Sequence, residues 1–135
     1  QGTVFLSTHD RDKQALVPIA ARLIELGFEV TATSGTAQAL ANAGLKVQSV
    51  LKVHEGRPNI EDQIRSNQVQ LVINTPIGRQ AAHDDKYLRR AALDYAVPTV
   101  TTLAGARAAV EAISALQQQP RLSIHALQDV HAMQR

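Results

Sequence analysis

The chain has 135 residues, 44% hydrophobic and 19% charged, which suits one compact domain with a single core and excludes a two-domain arrangement. With no Cys, one Met and no Trp, it offers no disulfide framework, thiolate metal site or cysteine nucleophile. The net charge of +2 is small and aromatic residues make up only 3%, so no nucleic-acid partner is expected. No apolar run approaches the ~18 residues of a membrane span, so a soluble domain is expected.

The chain opens at Gln1-Gly2-Thr3 without an initiator Met or signal peptide and runs straight into an apolar stretch, which reads as a segment of something longer. Thr3-Val4-Phe5-Leu6 is a β-type run. After it Leu16, Ile19, Leu23 and Leu26 recur at helical spacing up to Gly27. Asp10 or Asp12 suits the start of this helix, and Gly27 suits its left-handed end. Phe28 to Ala32 predicts a second strand, followed by a Thr33-Ser34-Gly35-Thr36 turn and an alanine-rich helix ending at Gly44. A third strand is predicted over Val47 to Val50, then a polar stretch from Lys52 to Asn59 and a short helix from Ile60 to Ser66. Val69 to Ile73 is an almost continuous apolar run, as in parallel strands covered on both faces. A helix over Lys86 to Tyr95, a strand over Pro98 to Thr101 and a helix over Leu103 to Leu116 complete the alternation. In the less regular tail, Leu122-Ser123-Ile124 suggests an edge strand. Strict strand and helix alternation with right-handed crossovers predicts a three-layer α/β fold, doubly wound about a parallel five-stranded sheet with flavodoxin-like strand order.

In such a sheet, ligands bind beyond the carboxyl ends of the strands, where strand order reverses. The segments expected there are Ser7 to Asp10, Thr33 to Thr36, Lys52 to Gly56, Asn74 to Pro76 and Thr101-Thr102. They are rich in hydroxyl, amide and basic groups, which suit a phosphate: several donors around its oxygens plus compensating charge. Each single Ser or Thr has the competing role of a helix cap, whereas five polar strand ends together favour a phosphorylated small molecule. Gly35 lets backbone approach an anion while Thr33 and Thr36 supply hydroxyls. Lys13 lies in a first helical turn, where a cation gains nothing from the helix dipole and is better explained by a bound anion. Lys52 sits in a comparable place at the end of the third strand, with a solvent-facing Lys as the competing reading. The five His residues show no paired ligand spacing, so no metal site is expected. His83-Asp84-Asp85 reads as the capping start of the helix at Lys86 rather than an acid/base cluster, and Arg79, Arg89 and Arg90 read as a solvated face or an interface.

Gly2 to Ser7, Asp12-Lys13, Gly27 to Glu29, Ala32 to Ala37, Lys52-Val53-His54-Glu55-Gly56-Arg57-Pro58 and Ile73 to Thr75 together resemble the methylglyoxal-synthase-like domain that ends the large chain of carbamoyl phosphate synthase. The similarity continues through Gly78-Arg79, Arg89 to Leu93 and Thr101 to Leu103, and the Lys-Val-His-Glu-Gly-Arg-Pro block is its most specific piece. The resemblance implies a noncatalytic allosteric module in a glutamine-dependent ligase that makes carbamoyl phosphate for pyrimidine and arginine synthesis. It implies UMP as inhibitor and IMP as a weaker activator, with Lys13, Thr33, Thr36 and Lys52 on the effector phosphate and Asn74 and Thr75 on its ribose and base. Pro76 departs from the family, which carries a hydroxyl residue there. Thr101 matches an ornithine-linked threonine, but the family's aromatic residue two places earlier is Thr99 here. The domain itself is expected to need no cofactor, the parent enzyme using ATP with Mg or Mn. Its expected partners are the remaining synthetase domains and a glutaminase small chain, in a cytoplasmic, oligomeric enzyme.

Two rivals share the fold. A stand-alone lyase like methylglyoxal synthase, acting on dihydroxyacetone phosphate, needs a carboxylate base after the third strand, where this chain has His54-Glu55-Gly56 instead of that family's Gly-Gly-Asp. The cyclohydrolase domain of purine synthesis has a similar first strand and turn but a lysine-bearing extension that is not matched here. A scaffold that binds no ligand is disfavoured by Lys13, Thr33, Thr36 and Lys52.

Overall fold

A computed structural model describes residues 2–75 and 79–118, with backbone only for residues 10 and 79–85. Pro76, Gly78, the suggested edge strand at Leu122 to Ile124, His125 and His131 lie outside the described residues. The elements are β1 (Thr3–Thr8), α1 (Lys13–Glu25), β2 (Glu29–Thr33), α2 (Ser34–Asn42), β3 (Gln48–Val50), α3 (Ile60–Arg65), β4 (Leu71–Thr75), α4 (Arg79–Asp94), β5 (Thr99–Val100) and α5 (Leu103–Gln117). Short 3-10 turns at Asp10–Asp12 and Val53–Glu55 precede α1 and follow β3. Among the described residues the four strand pairings are all parallel, in the order β3-β2-β1-β4-β5.

The α/β class, the five parallel strands and the flanking helix layers are as expected; the flavodoxin-like strand order is not. That order would place β3 beside β1 in the sheet interior, where its exposed Gln48 and Ser49 would lose water without partners. Instead α1 and α2 step outward in the same direction and leave the short polar β3 at the edge. The chain then crosses back through α3 and seats β4 beside β1, so that Val72 and Ile73 are covered on both faces. The reversal of strand order therefore falls between β1 and β4.

Alternation along the strands builds two cores. Val4, Leu6, Val30, Ala32 and Ile73 face α1, α2 and α5 and pack with Leu16, Leu23, Leu40 and Val110. Phe5, Val50 and Val72 face the other way, onto Ile60 and Ile64 of α3 and Leu88 and Ala91 of α4. Placing α1 and α2 on one face and α3 and α4 on the other is what right-handed crossovers require once the chain reverses direction after β3. Among the described residues no helix is long and apolar enough to cross a membrane.

Local departures have local causes. Gly27 adopts φ 98° just past α1 and its N–H bonds the Ile24 carbonyl, as expected for a helix stop. Asp12 precedes α1 without a side-chain cap bond. Ser34-Gly35-Thr36 is not a free turn but the first turn of α2, with Thr33 extended at its N-cap. α4 begins at Arg79, so His83, Asp84 and Asp85 lie within the helix and do not start it. Alanines at 81 and 82 favour helix and let it extend past the position where those acids suggested a cap.

Candidate functional site at the carboxyl edge of the sheet

Register places the polar strand ends in two rows. In the first, Val50 faces Thr33 and Ser7 faces Asn74, while the Thr33 hydroxyl donates to Ser7 Oγ at 3.4 Å and joins the two pairs. In the second, one residue further along, Thr8 faces Thr75 across the reversal point and their hydroxyls hydrogen-bond. Because side chains alternate, the first row lies toward α3 and α4 and the second toward α1 and α2. Thr33, Thr36, Asn74 and Thr75 are all buried. Four polar side chains there require partners within the protein or from a ligand.

Two helices begin at this edge. Lys13 is the first residue of α1, and its ammonium donates to the Thr8 carbonyl at 3.3 Å. The Thr8 N–H donates to Thr36 Oγ1 in the first turn of α2, also at 3.3 Å. The Thr36 hydroxyl thus accepts a bond there and keeps its own proton to donate to a second acceptor. Gly35 completes the cradle. A Cβ built on it would meet Lys13 Cε at 3.5 Å and Nζ at 3.6 Å, so the ammonium lies over the bare Cα of the first α2 turn. An ammonium and the positive ends of two helices thus converge on a patch lined with hydroxyls, a combination suited to an anion.

Lys52 stands apart from this cluster. It follows β3, one strand beyond β2, and is exposed. Its backbone is fixed by the turn after it: the Glu55 carboxylate accepts from Lys52 N at 2.7 Å, and Glu55 N donates to the Lys52 carbonyl at 3.0 Å. Buried Asn59 fastens the far end of the same loop, donating to the Gly56 carbonyl at 2.8 Å and the Val53 carbonyl at 3.5 Å and accepting from Asp62 N at 3.2 Å. Arg57 bonds Asp62 from outside; that hydrogen bond, with one from Asn59 N, holds the Asp62 carboxyl below the usual carboxylate range. The Lys-Val-His-Glu-Gly-Arg-Pro segment is therefore a braced loop in which Glu55 serves as a cap. Thr101 is exposed beyond β5; Ile73 faces Val100, so Thr101 falls on the far side of β4 from Lys13.

Lys13, Thr33, Thr36, Asn74 and Thr75 are thus brought to one edge, while Lys52 and Thr101 flank it. Ser7 and Thr8 belong to the cluster as well. Their position just beyond the predicted strand Thr3 to Leu6 points to the right edge; the structure makes them the last two residues of β1, with bonding that depends on register periodicity does not reveal. Among the described residues no three His, Asp or Glu side chains converge as metal ligands would.

A family model described as the MGS-like domain matches residues 15–101, with Lys13 just ahead of the matched span and the other expected site residues inside it. The chain belongs to the MGS-like domain family. The carbamoyl phosphate synthase large chain of Acidobacterium capsulatum is 50% identical to it over 131 residues, 97% of this chain and 12% of that protein. The large chain of Synechocystis sp. is 51% identical over 129 residues, 95% of this chain and 12% of that one. The C-terminal section of the large chain from Methanopyrus kandleri is 46% identical over 132 residues, 97% of this chain and 24% of that section. This MGS-like chain therefore spans a small part of the length of its relatives. The crystal structure of methylglyoxal synthase from Elizabethkingia anophelis shares the fold, with a TM-score of 0.67 and 20% identity over 82% of this chain and 77% of that one.

Proposed function

We propose that this MGS-like chain is the regulatory domain of a carbamoyl phosphate synthase large chain and that it binds a nucleoside monophosphate, UMP or IMP, at the carboxyl edge of its sheet. The single observation that carries the reading is the Lys13 ammonium held over Gly35 at the start of α2, with Thr8 and Thr36 bonded beside it. Relatives at about half identity named as synthase large chains supply the parent. Phosphate would take Lys13, Thr33, Thr36 and the first α2 amides, with Lys52 closing from the β3 side. Asn74 and Thr75, next to Ser7 and Thr8 in register, would meet ribose and base. Thr101 is the position that would report on ornithine.

The domain does no chemistry in this scheme. The nucleotide binds more tightly to one arrangement of the domain against the synthetase core, and a coupling of about 1–3 kcal/mol changes the affinity for ATP at a distance. ATP with Mg or Mn belongs to that core, and the glutaminase small chain and the other synthetase domains are the partners, in a cytoplasmic, oligomeric enzyme serving pyrimidine and arginine synthesis. A lyase role gains no support at the loop after β3, where the Glu55 carboxylate is engaged by the backbone it caps. Titrating the chain with UMP and IMP by calorimetry tests the proposal: saturable binding of either supports it, and no heat with both at millimolar nucleotide refutes it.

A further inference from the structure

The three polar groups of Thr8 reach three different elements at the sheet edge. Its N–H donates to Thr36 Oγ1 of α2, its carbonyl accepts from Lys13 Nζ of α1, and its hydroxyl pairs with the Thr75 hydroxyl of β4. The backbone contacts would survive replacement of threonine by valine; the hydroxyl contact would not. It spans the β1/β4 boundary, where strand order reverses and where the phosphate half of the site meets the ribose and base half. Thr75 is buried and its hydroxyl is paired with that of Thr8, which restricts the rotation of the Thr75 side chain.

We infer that Thr8 is a positioning residue of the effector site: its hydroxyl orients Thr75 toward the nucleoside and fixes that half of the site relative to the phosphate cradle. The inference rests on the nucleotide reading above and adds a residue and a role to it. Thr8 touches the cradle only through its backbone, so loss of its hydroxyl spares a bare anion and penalises a ligand that must fill both halves at once. A residue that merely stiffened the sheet would affect both ligands alike.

The test is calorimetry on the whole chain with inorganic phosphate and with UMP, for the parent, Thr8→Val and Thr8→Ser. Loss of one orienting hydrogen bond predicts UMP binding weakened by about three- to tenfold in Thr8→Val, with phosphate binding unchanged within about twofold. Thr8→Ser, which keeps the hydroxyl, is expected to stay within about twofold of the parent for both. Thr75→Val is the second variant and is expected to show the same selective loss, with the double variant Thr8→Val/Thr75→Val losing no more than the larger single effect. Equal weakening of phosphate and UMP in Thr8→Val, no weakening of either, or strictly additive losses in the double variant would overturn the inference while leaving the nucleotide reading standing. A parent chain that binds neither UMP nor IMP more tightly than phosphate would instead overturn the nucleotide reading, and this inference with it.

Discussion

Replacing Gly35 with alanine separates folding from anion binding at the start of α2. Gly35 has no positive φ to preserve, and the new methyl would sit at ordinary van der Waals distance from Lys13, 3.5 Å to Cε and 3.6 Å to Nζ. The fold therefore has room for it, and removing a glycine from a helix reduces the entropy lost on folding, a gain of up to about 0.5–1 kcal/mol. The same methyl fills the space between the ammonium and the first α2 turn, where a phosphate oxygen would have to lie to receive hydrogen bonds from both. Forfeiting one charge-assisted bond of about 1.5–3 kcal/mol corresponds to roughly ten- to hundredfold weaker binding. Denaturant unfolding and UMP calorimetry on the same sample read the two effects. Gly35→Ala is expected to be at least as stable as the parent and to bind UMP at least about tenfold more weakly. Unchanged affinity with unchanged stability would show that no anion enters this cradle.

Five further substitutions have expected outcomes. Lys13→Met removes the ammonium donating to the Thr8 carbonyl and is expected to weaken UMP by about tenfold or more while leaving uridine unaffected; Lys52→Ala is expected to act the same way and more weakly, both read by calorimetry. Asn59→Ala breaks the hydrogen bonds that fasten the 52–59 loop, those to the carbonyls of half-buried Val53 and exposed Gly56 and the cap on Asp62 N, so a loss of about 1–2 kcal/mol is expected in denaturant unfolding. Thr31→Val replaces a buried hydroxyl that has no hydrogen-bond partner among the described residues with a methyl of similar shape, and the unfolding free energy is expected to hold or rise; a fall of more than about 1 kcal/mol would show that the hydroxyl is satisfied. Asp62 has its carboxyl lowered, chiefly by the Arg57 hydrogen bond, so its contribution to stability is present above the ordinary carboxylate pKa and is lost as pH falls through the lowered folded value. Arg57→Gln is expected to move the Asp62 titration, followed by NMR, back up toward the ordinary value.

Alternation of apolar strands with amphipathic helices was legible because periodicity records burial directly, and β1, β2, β4 and α1 lie on those patterns, the three strands ending one or two residues later, at Thr8, Thr33 and Thr75, because polar residues at their ends still pair in register. Strand order was not legible in the same way. Handedness decides which face a crossover takes, whereas the direction of each step depends on which strand can bear an edge, and that follows from the exposure of Gln48 and Ser49 relative to Val72 and Ile73. Capping chemistry misled at His83 to Asp85, since acids that suit a helix start also sit inside a helix when preceded by alanines. For the site, strand ends marked the edge correctly, and Lys13 stood out by its place in a first turn. What escaped was the linkage: that Ser7 joins Thr33, that Thr8 joins Lys13, Thr36 and Thr75, and that Glu55 is a cap, each set by register or loop closure between residues far apart in sequence.

The central claim is that the anion of a nucleoside monophosphate rests on the cluster formed by Lys13, Thr8, Gly35 and Thr36. Amide chemical shifts followed by NMR during a UMP titration test it most directly. Saturable shifts are expected at Thr8, Gly35 and Thr36, reproduced in part by inorganic phosphate and absent with uridine at those amides. Binding that shifts amides around Thr101 and β5 while leaving Thr8, Gly35 and Thr36 unmoved would contradict it.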